Sequence, residues 1–169
     1  MLGHRKSQYR PHIDGRKRSI TGHEYVHVMI DDHSRLAYAE VLEDLTARCA
    51  VAFLRRAVAW FAERGVDVRA VMTDNGSCYL AHSYRQALAE LGLRQLRIKP
   101  GRPRTNGKAE RFIQTLLNGW AYARIYGSSM ERTAALPAFL RRYNFTRPHG
   151  SLGHQAPVSR LNNLVGNYT

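Results

Sequence analysis

T-D-N-G-S (Thr73 to Ser77) opens, and N-G-K-A-E-R-F (Asn106 to Phe112) closes, the stretch around which the rest of this chain is organised. Positions 74 and 110 leave thirty-five residues between Asp74 and Glu110, an interval that reads as a helix, a strand and a basic loop. Each carboxylate sits in its own polar motif. Mg²⁺ takes oxygen ligands and is usually held by one or two protein carboxylates together with water and substrate phosphates. Two acidic side chains, far apart in sequence and brought together by folding, are therefore what a metal-dependent phosphoryl-transfer site needs.

Working outward, Val66 to Thr73 (V-D-V-R-A-V-M-T) predicts a strand. Asp74 then falls at the strand's C-terminal tip, where open α/β sheets hold their ligands. Asn75-Gly76 makes the turn. His82 to Leu91 predicts a short helix ended by Gly92, and Leu93 to Ile98 a short strand. Lys99 to Gly107 (K-P-G-R-P-R-T-N-G) is loop chemistry with side chains suited to phosphates. A helix starting near Asn106 carries Ala109, Phe112, Ile113, Leu116, Leu117 and Trp120 at i, i+3, i+4, i+7, i+8 and i+11. Glu110 lies off that stripe. A first-turn glutamate also favours the helix dipole by a few tenths to about 1 kcal/mol, so its position alone proves little.

Toward the N-terminus, Val26, Val28 and Ile30 alternate with His27 and Met29, which predicts a strand with one strongly apolar face. Asp32-His33-Ser34 supplies a turn, and Arg35 to Leu42 returns as the second arm of an antiparallel hairpin. Thr46 caps a helix reaching about Arg64, with Ala50, Phe53, Leu54, Ala57, Val58 and Phe61 as its stripe and Gly65 as its stop. Another helix spans roughly Met130 to Tyr143, and Tyr143 to Pro157 closes the domain as ordered coil. Strands and helices alternating after a hairpin imply a mixed sheet with helices on both faces. The expected division is a basic arm over residues 1–23, a core over 24–160 and a tail over 161–169.

The chain has 169 residues, about one domain. Lys and Arg number 26 against 13 Asp and Glu, a net charge of +13, while 44% apolar content argues for a folded domain rather than a basic tail. Polyanions, nucleic acid above all, are the natural partners. Arg5, Lys6, Arg10, Arg16, Lys17 and Arg18 crowd the first twenty-three residues, which read as a leader or a phosphate-contacting arm. Cys49 and Cys78 are too few and too separated for a disulfide framework or a zinc site, and the scattered His4, His12, His23 and His27 have no cysteine pair at ligand spacing. No signal peptide and no membrane-length apolar run is legible, so the expected location is cytoplasmic.

Four motifs then stand in order: I-D-D-H-S-R (Ile30 to Arg35), T-D-N-G-S, N-G-K-A-E-R-F and Y-N-F-T-R-P-H-G-S-L (Tyr143 to Leu152). Together they resemble the integrase catalytic core (the D,D-35-E signature) of bacterial insertion-sequence transposases, related to retroviral integrases, over most of residues 24–160. The resemblance implies a ribonuclease-H-like fold and Mg²⁺ or Mn²⁺ in a two-metal site. It further implies DNA, both transposon ends and target, as substrate, cutting and joining by direct transesterification, and a homo-oligomeric active assembly. Carried onto this sequence, the second family aspartate is Asp74 and the family glutamate is Glu110, both catalytic and both metal ligands. Asn106 and Lys108 would touch DNA or orient Glu110, and Arg102, Arg104 and Arg111 would neutralise phosphates.

The departure from the family pattern is at the front. Members carry a first catalytic aspartate on a central strand that precedes the hairpin, and in close relatives that strand runs into a Leu-Gly-containing segment. Here Leu2-Gly3 follow Met1 at once, and if that register holds the first strand and its carboxylate are expected upstream. A rival register uses His12-Ile13-Asp14, with Asp14 as substitute, although Gly15-Arg16-Lys17-Arg18 after it cannot form a buried central strand. Asp31 reads as a hairpin residue rather than a ligand. The expectation is a chain that binds DNA and cuts or joins it weakly or not at all. Two alternatives stand beside it: a catalytically dead DNA-binding transposase remnant, and a ribonuclease-H-like nuclease acting on RNA–DNA hybrids.

Overall fold

The computed structural model describes residues 24–98 and 107–164. The expected hairpin forms from β1 (Tyr25–Ile30) and β2 (Ala37–Leu42), antiparallel, in a register running from Tyr25 opposite Leu42 to Ile30 opposite Ala37. Asp31 closes its turn: Oδ2 accepts from the Ser34 amide at 2.7 Å and from the Ser34 hydroxyl at 2.6 Å, as its reading as a hairpin residue requires. Both faces of the hairpin are covered, not one. Val28, Ala37 and Ala39 pack under Phe112, Leu116, Trp120, Leu136 and Tyr143. On the opposite face His27 is fully buried against the Phe53 ring, and Tyr38 lies against Phe53 and Trp60.

That second face is covered by α1 (Ala47–Ala62), whose N-cap Thr46 accepts from the Cys49 amide and whose apolar stripe is buried at Ala50, Phe53, Leu54, Ala57 and Phe61. The same helix also reaches a second β pair. β3 (Ala70–Thr73) runs parallel to β4 (Arg94–Arg97), and α2 (Ser77–Leu80) and α3 (His82–Glu90) connect them. Here the structure corrects two expectations. The strand predicted from Val66 begins only at Ala70, because β4 pairs no further back than Arg94 and Val66 is instead buried with Leu36 and Phe61. The turn expected after Asp74 continues into the short helix α2, held by the buried ring of Tyr79.

Downstream, α4 (Gly107–Leu116) widens into a π-helical turn over Leu117–Ala121, where Gly119 lies so near the Phe139 ring that a Cβ would fall 2.8 Å from it. α5 (Ser129–Phe145) is N-capped by Ser128, which accepts from the Glu131 amide at 3.1 Å, and it contains Pro137. The closing stretch is not plain coil: it forms 3₁₀ turns at Gly150–Leu152 and Pro157–Leu164.

The class is the expected α/β arrangement with helices on both faces. The antiparallel and parallel pairs are separate two-stranded sheets, and among the described residues no strand joins them. The basic arm over residues 1–23 with its Asp14, and Arg102, Arg104 and Asn106, lie outside the described residues.

Candidate functional site

Asp74 follows β3 directly and is half-buried. Its Oδ1 accepts from the Gly76 amide at 2.8 Å, an Asx turn that holds the carboxylate against the backbone. Asn75 Nδ2 donates to the Ile98 carbonyl at 3.0 Å, and the Ile98 amide donates to Thr73 O at 3.1 Å, so the loop is tied to the end of β4 from both sides. Gln95 Nε2 adds bonds to Thr73 Oγ1 at 3.1 Å and Tyr79 O at 3.0 Å. The small residue at 76 has a local cause: a Cβ there would stand 3.0 Å from Asp74 Oδ1 and 3.4 Å from the Tyr79 ring.

Glu110 lies in the first turn of α4 and is exposed. The start of that helix is pinned to the hairpin turn, because Lys108 Nζ reaches Asp32 Oδ1 at 2.6 Å and Asp32 O at 3.1 Å. Lys108, expected on DNA, therefore has an acidic partner of its own. Arg111 is exposed on the same helix and takes part in no ion pair among the described residues. Thr73, immediately before Asp74, and Lys108-Ala109, immediately before Glu110, border one cleft of about 390 Å³ together with Asp31 and Asp32.

The donor chemistry of Asp74 and Glu110 is all oxygen, the class a hard divalent cation takes, with water and phosphate oxygens completing its shell. Both residues offer only oxygen, and a two-ion site needs further oxygen donors beside them. Among the described residues no group of three or more His, Cys, Asp or Glu is placed to hold a metal. Burial pushes the thiol of Cys78, in the helix after Asp74, above its ordinary value, which argues against a thiolate nucleophile there.

Other perturbed groups are structural. Burial alone would raise the Glu40 carboxyl, but the Arg56 guanidinium at 2.8 Å and the Tyr38 hydroxyl outweigh it and hold it below its usual value. Burial and that carboxylate push Tyr38 up to about 12. Reading the sequence did not find the Gln95 brace or the Lys108–Asp32 pair. A polar residue in the middle of L-R-Q-L-R was the only available sign of the first, and nothing local marked the second.

The integrase core domain family model matches residues 5–103, and a further integrase core domain model matches residues 91–157. The ORF3 product of Spiroplasma virus SpV1-C74, named as an integrase, is 27% identical over 161 residues, covering 88% of this chain and 44% of that protein. Transposase InsD for insertion element IS2A/D/F/H/I/K of Escherichia coli is 33% identical over 90 residues, 53% of this chain and 30% of that protein. The chain thus spans less than half the length of these curated relatives. Among solved structures, the catalytic core domain of BIV integrase aligns with a TM-score of 0.66 at 22% identity over 86% of this chain and 91% of that one. A chain of the simian T-cell lymphotropic virus intasome in complex with PP2A regulatory subunit B56 gamma aligns at 0.71 and 19% identity, over 98% and 62%.

Proposed function

This chain belongs to the integrase core domain family, and from that premise we propose that it works on DNA as a transposase or integrase catalytic core, cleaving a strand and joining an end to a target. The match across residues 5–103, with Asp74 inside it, is the observation that carries this reading. In this reading Asp74 and Glu110 hold Mg²⁺ or Mn²⁺. A divalent ion bound by them supplies charge neutralisation at phosphorus and activation of an attacking water or 3′-hydroxyl.

The chain's own residues do the rest. The Gly76 amide keeps one Asp74 oxygen fixed, which leaves Oδ2 as the oxygen offered to a ligand and removes reorganisation from the approach of the phosphate. Arg111 and Lys108, with Arg102, Arg104 and Asn106, contact the DNA backbone, in keeping with the net charge of +13. A homo-oligomeric working form is part of the proposal, supported by the likeness to an intasome chain.

The test pairs Mn²⁺ titration calorimetry with cleavage of a labelled DNA duplex, using the full chain and its Asp74→Ala and Glu110→Ala variants. Each variant is expected to lose Mn²⁺ binding and any metal-dependent cleavage while retaining salt-sensitive DNA binding. Variants that bind Mn²⁺ and cut as the parent does would overturn the assignment. Unchanged DNA binding with no metal affinity in the parent points to the DNA-binding remnant, and preference for RNA–DNA hybrids points to the nuclease.

A further inference from the structure

Arg35, which ends I-D-D-H-S-R, and Arg147 and His149, from the closing Y-N-F-T-R-P-H-G-S-L, have no part in the Asp74–Glu110 pair, yet the fold brings them together. Arg35 leaves the hairpin turn at φ 66°, the left-handed region that a residue with a side chain rarely occupies. Its amide donates to the Asp31 carbonyl at 3.0 Å, and its neighbours Ser34 and Leu36 are fully buried, which holds that conformation. Ala37, two residues on, is bonded to the Asn144 carboxamide, so the end of α5 is fixed beside the turn. His149 follows α5. Its amide donates to the Gln155 carbonyl at 3.0 Å, and its ring stands edge-on to Tyr143 with centroids 4.8 Å apart.

The cluster holds donors and positive charge without a counter-charge. Arg35 Nη1 and His149 Nε2 are both buried and have no hydrogen-bond partner among the described residues. No carboxylate pairs with Arg35 or Arg147 among those residues, and Asp14 is the one acidic residue outside them. Burial, then the charges of Arg147 and Arg35, hold the His149 imidazole below its ordinary pKa, so both guanidinium groups act on one ring. The same two charges act on Tyr143. Like charges that converge on a half-buried ring repel one another and leave donors unsatisfied unless an anion enters among them. A guanidinium fork matches the oxygens of a phosphate group, and an imidazole N–H adds a further donor.

We propose that Arg35, Arg147 and His149 form a binding site for a phosphate group, either a phosphodiester of a DNA strand or free inorganic phosphate. Arg35 Nη1 and His149 Nε2 donate to its oxygens from the buried side, and the exposed Arg147 closes on it from solvent. The site is separate from the cleft beside Asp74 and Glu110, whose lining includes none of the three residues. Ring contacts connect it to the helix that carries Glu110: Phe112 packs on Tyr143 with centroids 4.8 Å apart, and Tyr143 packs on His149. A DNA strand as the source of the phosphate rests on the proposed DNA function; the phosphate site itself does not.

The test has two arms, each run on the full chain and on its Arg35→Gln and Arg147→Gln variants. In the first, inorganic phosphate replaces chloride at matched ionic strength while the urea midpoint and the side-chain NMR signals of His149 are followed. Phosphate is expected to raise the midpoint of the parent and to shift the His149 signals saturably, and both responses disappear in either variant. Arg147 is exposed, so Arg147→Gln carries the test even if Arg35→Gln fails to fold. In the second arm a fluorescein-labelled duplex is titrated by anisotropy over a series of salt concentrations. If the source is a backbone phosphodiester, each variant weakens duplex binding several-fold and lowers the salt slope by about 1. An unchanged slope with the phosphate response intact assigns the site to free phosphate. Three results overturn the proposal: neither arm responds; the responses survive both substitutions; or the parent is silent and Asp14→Asn makes it responsive, which would mean that the chain's own carboxylate fills the site. The phosphate arm involves no DNA, metal or cleavage, so its failure and the failure of the DNA reading are separable.

Discussion

The carboxamide of Asn144 clamps the backbone of Ala37 from both sides: Oδ1 accepts from the Ala37 amide at 2.9 Å and Nδ2 donates to the Ala37 carbonyl at 2.8 Å. The two residues are 107 positions apart, and Asn144 is 1% exposed. The clamp docks the end of α5 onto the start of β2 and satisfies both polar groups of a buried residue. Removing it strands a buried donor and acceptor, each costing about 1–3 kcal/mol. Asn144→Ala is therefore expected to lower the unfolding free energy by roughly 2–4 kcal/mol with an unchanged m-value, as measured by urea denaturation.

At Gly76 the close approach to Asp74 predicts a functional rather than a global effect. A methyl group 3.0 Å from Oδ1 must displace the carboxylate or break its bond to the Gly76 amide. Under the proposed metal role, Gly76→Ala weakens Mn²⁺ binding several-fold in calorimetry while shifting stability by less than about 1 kcal/mol. Gly107→Ala is the control, because among the described residues a Cβ there meets nothing within 4 Å, and it leaves Mn²⁺ affinity unchanged.

Two histidines set the acid limb of stability. Burial lowers the pKa of His27, whose Nε2 is bonded to the Asp44 carbonyl at 2.9 Å. Burial, helped by Arg147 and Arg35, lowers that of His149. Because the folded values lie below the unfolded value of 6.5, the unfolded chain takes up protons first as pH falls. Stability is thus fully present above pH 6.5 and declines as the pH drops through that value toward the folded pKa values. Urea midpoints measured between neutral pH and pH 5 are expected to fall, and His27→Gln is expected to flatten the slope in that window.

The Lys108–Asp32 pair is exposed on both sides, so breaking it costs little fold stability, about 0–1 kcal/mol. Its larger consequence is for charge. Asp32→Asn frees the Lys108 ammonium beside the start of α4, and if Lys108 contacts phosphate as proposed, DNA affinity rises a few-fold at low salt and the salt dependence steepens. Anisotropy titrations at several salt concentrations check this, and Lys108→Ala should reverse the gain.

Local chemistry made much of this molecule legible. The stripe from Ala50 to Phe61 marked α1, alternation around Val28 marked the hairpin, and D-N-G after an apolar run placed Asp74 at a strand tip, because periodicity and turn propensity are written into neighbouring residues. The family resemblance was legible for the same reason, through short motifs in order. What only the tertiary structure decided depends on partners distant in sequence. Where β3 starts was set by how far β4 reaches, and where α4 ends as a regular helix coincides with the Phe139 ring lying against Gly119. The clamp on Ala37, the pairing of Lys108 and the cleft between the two sheets are likewise long-range. Each arises from which surfaces meet once apolar faces are buried, and single residues carry no local mark of the neighbours they will acquire.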